Sequence, residues 1–296
     1  MSQLVHIFCD IDDFCKSLEP TLSKHLIASG ARPRTRTPQL SLSEIMTIIV
    51  YFHRSRYRTF KDYYTRFVTP HLRAYFPKLV SYNRFVELMP RALLPLCAYL
   101  NTRKGQCTGI AFIDSTPLAV CHNRRIHSHK VFEGWAKRGK TSVGWFFGFK
   151  LHLVAGDEGQ LLAFRLTSGN TDDRAPVPDL VARLFGKLFG DRGYISEPLH
   201  DRLYEQGLEL ITKLKKNMHQ RLMLLWDKLM LRKRALIETI YDQLKNISQI
   251  EHSRHRSMVG FMVNLVAGLI AYTYQPKKPS LGIRRDVRAI VPLLVA

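Results

Sequence analysis

The hydrophobic period of this chain changes once, near Gly109, and that change limits the fold to two kinds of structure in series. Up to about residue 105 the apolar residues recur at helical spacing, through LSLSEIMTIIVYF and again through YNRFVELMPRALLPLCAYL. The first run can open on a cap at Ser41 or Ser43. From Gly109 onward the apolar runs are short. GIAFIDST ends in polar residues, and GWFFGFKLHLVAG and QLLAFRLTSG are separated only by Asp157, Glu158 and Gly159, the pattern of a β-hairpin. Helical and strand patterns then alternate: DDRAPVPDLVARLF as a helix, KLFGD as a strand, EPLHDRLYEQG as a helix, LELITKL as a strand, and a long helical region from about Met218 to Ile250. Strands followed by alternating helices and strands imply an α/β architecture with a mixed sheet. The expected division is a helical unit over 1–105 and an α/β unit over 106–296.

Charge sets the class of partner. The chain carries 45 Lys+Arg against 24 Asp+Glu, a formal +21, on an otherwise ordinary globular composition of 46% hydrophobic and 23% charged residues. Such an excess draws a polyanion by Coulomb attraction and counterion release. Nucleic acid is the first candidate partner, ahead of an anionic membrane surface. The segment Met258 to Tyr274 is at the short limit for spanning a bilayer and contains Asn264 and two glycines, so a buried C-terminal helix is expected. The start of the chain has three aspartates where a signal peptide needs basic and apolar residues. Five cysteines without a CxxC pair read as reduced thiols, and the expected location is cytoplasmic.

Against this basic background, three acids are placed where chemistry can use them. Asp114 and Asp191 each follow a short apolar run read as a buried strand, and Glu238 lies in the long helical region with Arg234 four residues before it and Lys245 seven after. The two bases fall on the glutamate's own helical stripe. Carboxylates at two strand ends and on a crossing helix can hold Mg²⁺, a hard ion that takes oxygen ligands and keeps several waters. Two such ions about 3.5–4 Å apart can serve both the attacking and the leaving oxygen of a phosphodiester. The arrangement requires the first and fourth strands of the sheet to be neighbours. Asp242, one helical turn beyond Glu238, is the fallback ligand. Asp172 and Asp173 read as a helix cap and first turn.

Basic residues mark the candidate DNA contacts. In HRSRYRTFKDYYTRF, Arg54, Arg56 and Arg58 interleave with aromatic residues, which suits either a helix lying on a phosphate backbone or a solvated helix with its aromatics in the core. ARPRTRTPQL, with two prolines, reads as a loop or linker. NRRIHSHK reads as a basic DNA-contacting loop through Arg124, Arg125 and Lys130, in preference to a metal site built from His127, His129, Cys121 and His122, whose spacing fits no usual four-ligand set. Arg192, directly after Asp191, is either a phosphate contact or a structural ion pair.

The chain resembles the DDE transposases of bacterial insertion sequences, specifically the insertion sequence 982 family. The resemblance runs over nearly the whole chain and is carried by FIDSTPLAVCHNRRIHSHKVF, RGKTSVGWFFGFKLHLV, LTSGNTDDRAPVPDL, KLFGDRGYIS and KRALIETIYDQLKNISQIEHSRHRS. It implies a ribonuclease-H-like mixed sheet with flanking helices, preceded by an all-helical, end-recognising N-terminal domain. By resemblance, Asp114, Asp191 and Glu238 form the catalytic and metal-binding triad, served by Mg²⁺ or Mn²⁺ and two ions in all. Arg234, Glu238 and Lys245 match a Tyr-x2-Arg-x3-Glu-x6-Lys signature, while Leu231 stands at the tyrosine position. The implied activity is hydrolysis at transposon inverted-repeat ends, followed by transfer of the freed 3′-OH into target DNA. The implied assembly is a homodimer or larger complex on DNA. A DNA-binding regulator without catalysis, and a simple nuclease of the same fold, are the competing readings.

Overall fold

A computed structural model describes residues 3–28, 39–142, 144–213, 223–251 and 255–283. The linker reading of ARPRTRTPQL falls almost wholly on residues 31–38, outside the described residues, as does the expected helix start at Met218.

Among the described residues up to Thr102 the regular structure is helical: α1 (Gln3–Ala28), α2 (Leu42–Phe52), α3 (Phe60–Tyr63), α4 (Thr69–His71), α5 (Tyr82–Leu88) and α6 (Leu93–Thr102). Ser41, not Ser43, is the cap of α2. Its hydroxyl accepts from the Glu44 amide at 3.1 Å, and the Glu44 carboxylate accepts from the Ser41 amide at 2.6 Å. This reciprocal pair satisfies two otherwise orphaned donors and is worth about 1 kcal/mol. In the stretch from His53 to Phe67, Tyr63 and Tyr64 are buried, while Arg56, Arg58, Lys61 and Arg66 are exposed. The aromatics build core and the cations line the surface, but the helical reading fails for Arg54, Arg56 and Arg58: they lie in the turn and bend between α2 and α3, where Arg56 has a φ of 63°.

The α/β part holds β1 (Ile110–Cys121), β2 (Lys137–Lys140), β3 (Trp145–Gly156), β4 (Leu161–Ser168), α7 (Val177–Leu180), β5 (Gly186–Gly190), α8 (Glu197–Glu205), β6 (Leu208–Thr212), α9 (Leu225–Lys233), α10 (Ala235–Asp242) and α11 (Met258–Thr273). The six strands form one mixed sheet in the order β2-β3-β1-β5-β6, with β4 also pairing β3. This is the mixed sheet with flanking helices of a ribonuclease-H-like domain, following a helical N-terminal region. β3 and β4 form the expected antiparallel hairpin, and β1 lies parallel to β5.

Alternation along β1 and β3 divides the apolar residues between two faces. Phe112, Leu118, Phe149, Leu151 and Leu153 join the larger core, which extends through α10, α11 and the N-terminal helices. Ala111, Ile113 and Val154 join a smaller core with Leu199 and Leu203 of α8. α11 is apolar all round and correspondingly buried, packing against α2 and α6. Among the described residues no helix is long and apolar enough to cross a membrane.

Two local expectations need correction, and one strand was not anticipated. DDRAPVPDLVARLF yields only the four residues of α7, because Pro176 and Pro178 lack the amide donors that a helix starting near Asp172 would use. Lys137–Lys140 is a strand although it has no apolar alternation. It lies at an edge of the sheet, where lysines are tolerated, and Gly139 lets it approach the Gly169 carbonyl, with which a Cβ would collide. Asp114 is not at a strand end, since β1 continues beside β3 as far as Cys121↔Phe147.

Candidate active site

Register rather than strand termination places the two aspartates together. The parallel pairing of β1 with β5 ends at Phe112↔Phe189, whose rings stack at 5.5 Å. Asp114 and Asp191 each lie two residues beyond that pair. Asp114 on β1 and Asp191 directly after β5 are therefore at equivalent heights, where paired strands run about 4.8 Å apart. The adjacency that the sequence reading required is present. β5 stops at Gly190, while β1 continues with only β3 beside it, and the notch so formed opens above Asp114.

The helical region crosses this notch in two pieces. α9 ends and α10 begins at Arg234, which belongs to neither helix. From that junction the Arg234 guanidinium contacts all three acids. Nη1 is 3.2 Å from Asp114 Oδ2, Nη2 is 2.9 Å from Glu238 Oε1, and Nη2 is 3.9 Å from Asp191 Oδ1. The Asp114 and Arg234 side chains are largely shielded, at 21% and 17% exposure, whereas those of Asp191 and Glu238 are more than half exposed. Burial pushes the Asp114 carboxyl up to about 6, against the lowering effect of Arg234 and of the Ser115 amide, which donates to its Oδ1 at 2.9 Å.

One tyrosine fastens the helix to the strand. The Tyr241 hydroxyl donates to the Asp114 carbonyl at 2.6 Å, accepts from the Leu153 amide at 3.1 Å, and also lies 3.1 Å from the Leu151 carbonyl. The phenol is buried, and burial holds its hydroxyl well above the usual range, so it remains a neutral donor. Lys245 is occupied as well, donating to the Pro117 carbonyl at 2.9 Å and pairing with Glu251 at 3.2 Å. Asp242 turns away. It is exposed and accepts from Asn246 at 2.6 Å. Leu231 is buried in the larger core.

The remaining candidates lie elsewhere. Asp172 closes a turn on Arg174, not a helix, with bonds of 2.6–3.0 Å. Asp173 pairs with Lys150 at 3.0 Å. Next to Lys150 is His152, which burial lowers to about 4 and so keeps neutral near pH 7. Arg192 is exposed and makes no ion pair among the described residues. Residues Asn123–Ser128 form a 3-10 turn capped by His122 Nδ1, with Arg124, Arg125 and Lys130 exposed. Arg54 is partly buried, unlike Arg56 and Arg58.

One role and two groups of residues escaped the sequence reading. Arg234 is the hub of the acids and not a flanking base; its four-residue spacing from Glu238 carried half of that signal. Tyr241 stands three residues after Glu238, a position that the helical period puts near the glutamate, but no spacing reveals its hydroxyl partners. Trp135 and Trp145 are exposed beside β2, with Arg138 and Lys140 over the Trp145 ring at 4.8 and 5.6 Å.

The donor set can be tested against a divalent ion. Among the described residues no three His, Cys, Asp or Glu side chains are grouped closely enough to enclose one. At the acidic notch the guanidinium occupies the space between the carboxylates and stands in for a cation there. With that cation displaced, the notch offers oxygen donors alone, the donor type that suits a hard divalent ion.

Comparison with known proteins gives one family match. The family described as "Transposase DDE domain" matches residues 104–258, which include all three acids, Arg234 and Tyr241. No curated protein matches the chain.

Proposed function

The chain belongs to the DDE transposase family, and from that premise we propose that it cuts DNA at the inverted-repeat ends of an insertion sequence and joins the freed 3′-OH to target DNA. We place it in the insertion sequence 982 group, on the motifs quoted above. Transposase function and a DNA substrate follow from the family; the steps and the residue roles are our reading.

The observation that carries this reading is the contact of one guanidinium with three carboxylates from separate elements. A strand, the residue after a neighbouring strand and a helix supply one acid each, and a cation already gathers them. Asp114, Asp191 and Glu238 would hold the divalent ions, taken as two of Mg²⁺ or Mn²⁺. When bound there, such ions polarise the phosphodiester and offset the charge that develops on its oxygens. Asp114 gives the site a shielded floor, and Asp191 and Glu238 face the solvent from which DNA arrives. The Arg234 fork matches a phosphate as well as a carboxylate and can pass from one to the other. Catalysis by this chain then rests on positioning and charge, with no covalent protein–DNA intermediate.

The exposed cations support a DNA path. Arg56 and Arg58 in the helical part, Arg124, Arg125 and Lys130 beside β1, and Arg192 beside Asp191 are free to meet phosphates. We assign transposon-end recognition to residues 1–105 and chemistry to 106–296, and expect a dimer or larger assembly holding two ends.

The test is incubation of the full-length protein with Mg²⁺, inverted-repeat DNA and a plasmid target. The reading requires free 3′-OH ends and their joined products. A stable 5′-phosphotyrosine adduct, or DNA binding with neither product, would overturn it.

A further inference from the structure

We propose that Tyr241 is a positioning residue for the transposase reaction, setting the separation between Asp114 and Glu238 through its hydroxyl group. This rests on the reading of those two acids as metal ligands.

Two things have to be held in register at this site: a side chain on a strand and a side chain on a helix. Side-chain packing alone leaves such a pair free to slide, because apolar contacts are non-directional. The Tyr241 hydroxyl removes that freedom. It donates to the carbonyl of Asp114 itself, and it accepts from the amide of Leu153, the residue directly opposite Asp114 in the β1–β3 register. Its own backbone is three residues from Glu238, less than one helical turn. The glutamate's helix is therefore hydrogen-bonded to the main chain of the residue that bears the first aspartate and to that residue's cross-strand partner.

The attachment lies where the sheet offers least support. Beside Asp114 the β5 pairing has ended, and on that side no strand neighbour fixes the height of β1. The Tyr241 side chain is buried, which limits the access of solvent to its partners. Tyr241 faces the metal site through the backbone and touches no reacting atom, which separates its role from those of the acids.

Phenylalanine at this position keeps the ring and removes only the hydroxyl. We expect Tyr241→Phe in the full-length protein to bind Mn²⁺ about tenfold more weakly in calorimetry without DNA, as loss of an outer-shell partner does. Its single-turnover cleavage at saturating end DNA should be at least about tenfold slower, since a displacement near 1 Å can cost about 10²-fold. The dissociation constant for end DNA should remain within about twofold, because backbone contacts dominate affinity. Ile240→Val, a neighbouring core substitution on the same helix, reports on packing loss alone and should leave Mn²⁺ affinity and cleavage rate at wild-type values. Wild-type Mn²⁺ affinity and rate in Tyr241→Phe would overturn the proposal, as would an equal loss in Ile240→Val. If Asp114→Asn weakens Mn²⁺ binding while Tyr241→Phe does not, the positioning role alone fails. If Asp114→Asn also binds Mn²⁺ like wild type, the metal reading fails and the proposal with it.

Discussion

Arg234 donates to Asp114 at 3.2 Å across 120 residues of sequence, and the same guanidinium donates to Glu238 only four residues away. A long-range and a local ion pair thus share one cation, and that cation sits at a helix junction. Arg234→Ala should leave three carboxylates with no shared counter-charge. The expected result is a lower melting temperature in EDTA, by about 1–3 kcal/mol of stability, since removing one partner leaves a shielded charge uncompensated. Mn²⁺ should restore more of the melting temperature in this variant than it adds to wild type, because the ion can take the vacated place. A variant that melts like wild type in EDTA would show that the guanidinium contacts are energetically idle.

Asp114 carries a sign that can be read in stability. Its folded pKa, about 6, is raised above the ordinary 3.8. The contribution to stability is therefore complete below the unfolded value and is lost as pH rises through about 6. At pH 7.5 the charged carboxylate burdens the fold, by an amount of about 3 kcal/mol at most. Asp114→Asn, neutral and of the same shape, should be the more stable protein at pH 7.5 despite losing the Arg234 contact. The advantage should vanish near pH 4, where wild-type Asp114 is already protonated. Melting temperatures at the two pH values measure this, and a constant difference would contradict the origin in burial.

The choice between Glu238 and Asp242 is now a geometric one. Glu238 shares the Arg234 guanidinium, whereas Asp242 is exposed and bonded to Asn246. Glu238→Gln should reduce Mg²⁺-dependent cleavage by more than about 100-fold, the upper range for loss of a mere outer-shell partner. Asp242→Asn should cleave at close to the wild-type rate. The reverse ranking in a single-turnover assay would move the third ligand to Asp242.

What the sequence made legible at this site was chemistry type and order, not contact. Asp114 and Asp191 could be paired because short apolar runs preceded both, and the parallel register then brought them to the same height. The continuation of β1 past Asp114 was not legible, because it depends on pairing with β3, a partner that local pattern does not encode. Glu238 is singled out in the sequence by its spacing from Arg234 and Lys245, yet both bases are engaged inside the protein. Lys245 holds a carbonyl of β1, and Arg234 holds the acids. Helical spacing reports which residues share a face and not what that face meets. β2 was missed for a similar reason, since an edge strand of lysines, arginine and glycine has no apolar period to read.

The exposed cations near β1 and β2 predict how binding responds to salt. Arg124, Arg125 and Lys130 are exposed and form no ion pair among the described residues, so each is free to displace a counterion from a phosphate. Each phosphate contact contributes about 0.9 to the slope of log affinity against log salt on duplex DNA. Replacing all three by alanine should therefore reduce the slope by about 2–3 and weaken binding to end DNA and unrelated DNA alike, because phosphate contacts carry no base sequence. The acids of the notch should be untouched, and cleavage at saturating DNA should remain near the wild-type rate. Titrations between 50 and 200 mM salt, the range in which about 10³–10⁵ in affinity is lost when 6–10 phosphates are contacted, would resolve a change of this size. An unchanged slope would remove these three residues from the DNA path and leave the exposed arginines of the turn between α2 and α3, Arg56 and Arg58, to supply the electrostatic contact.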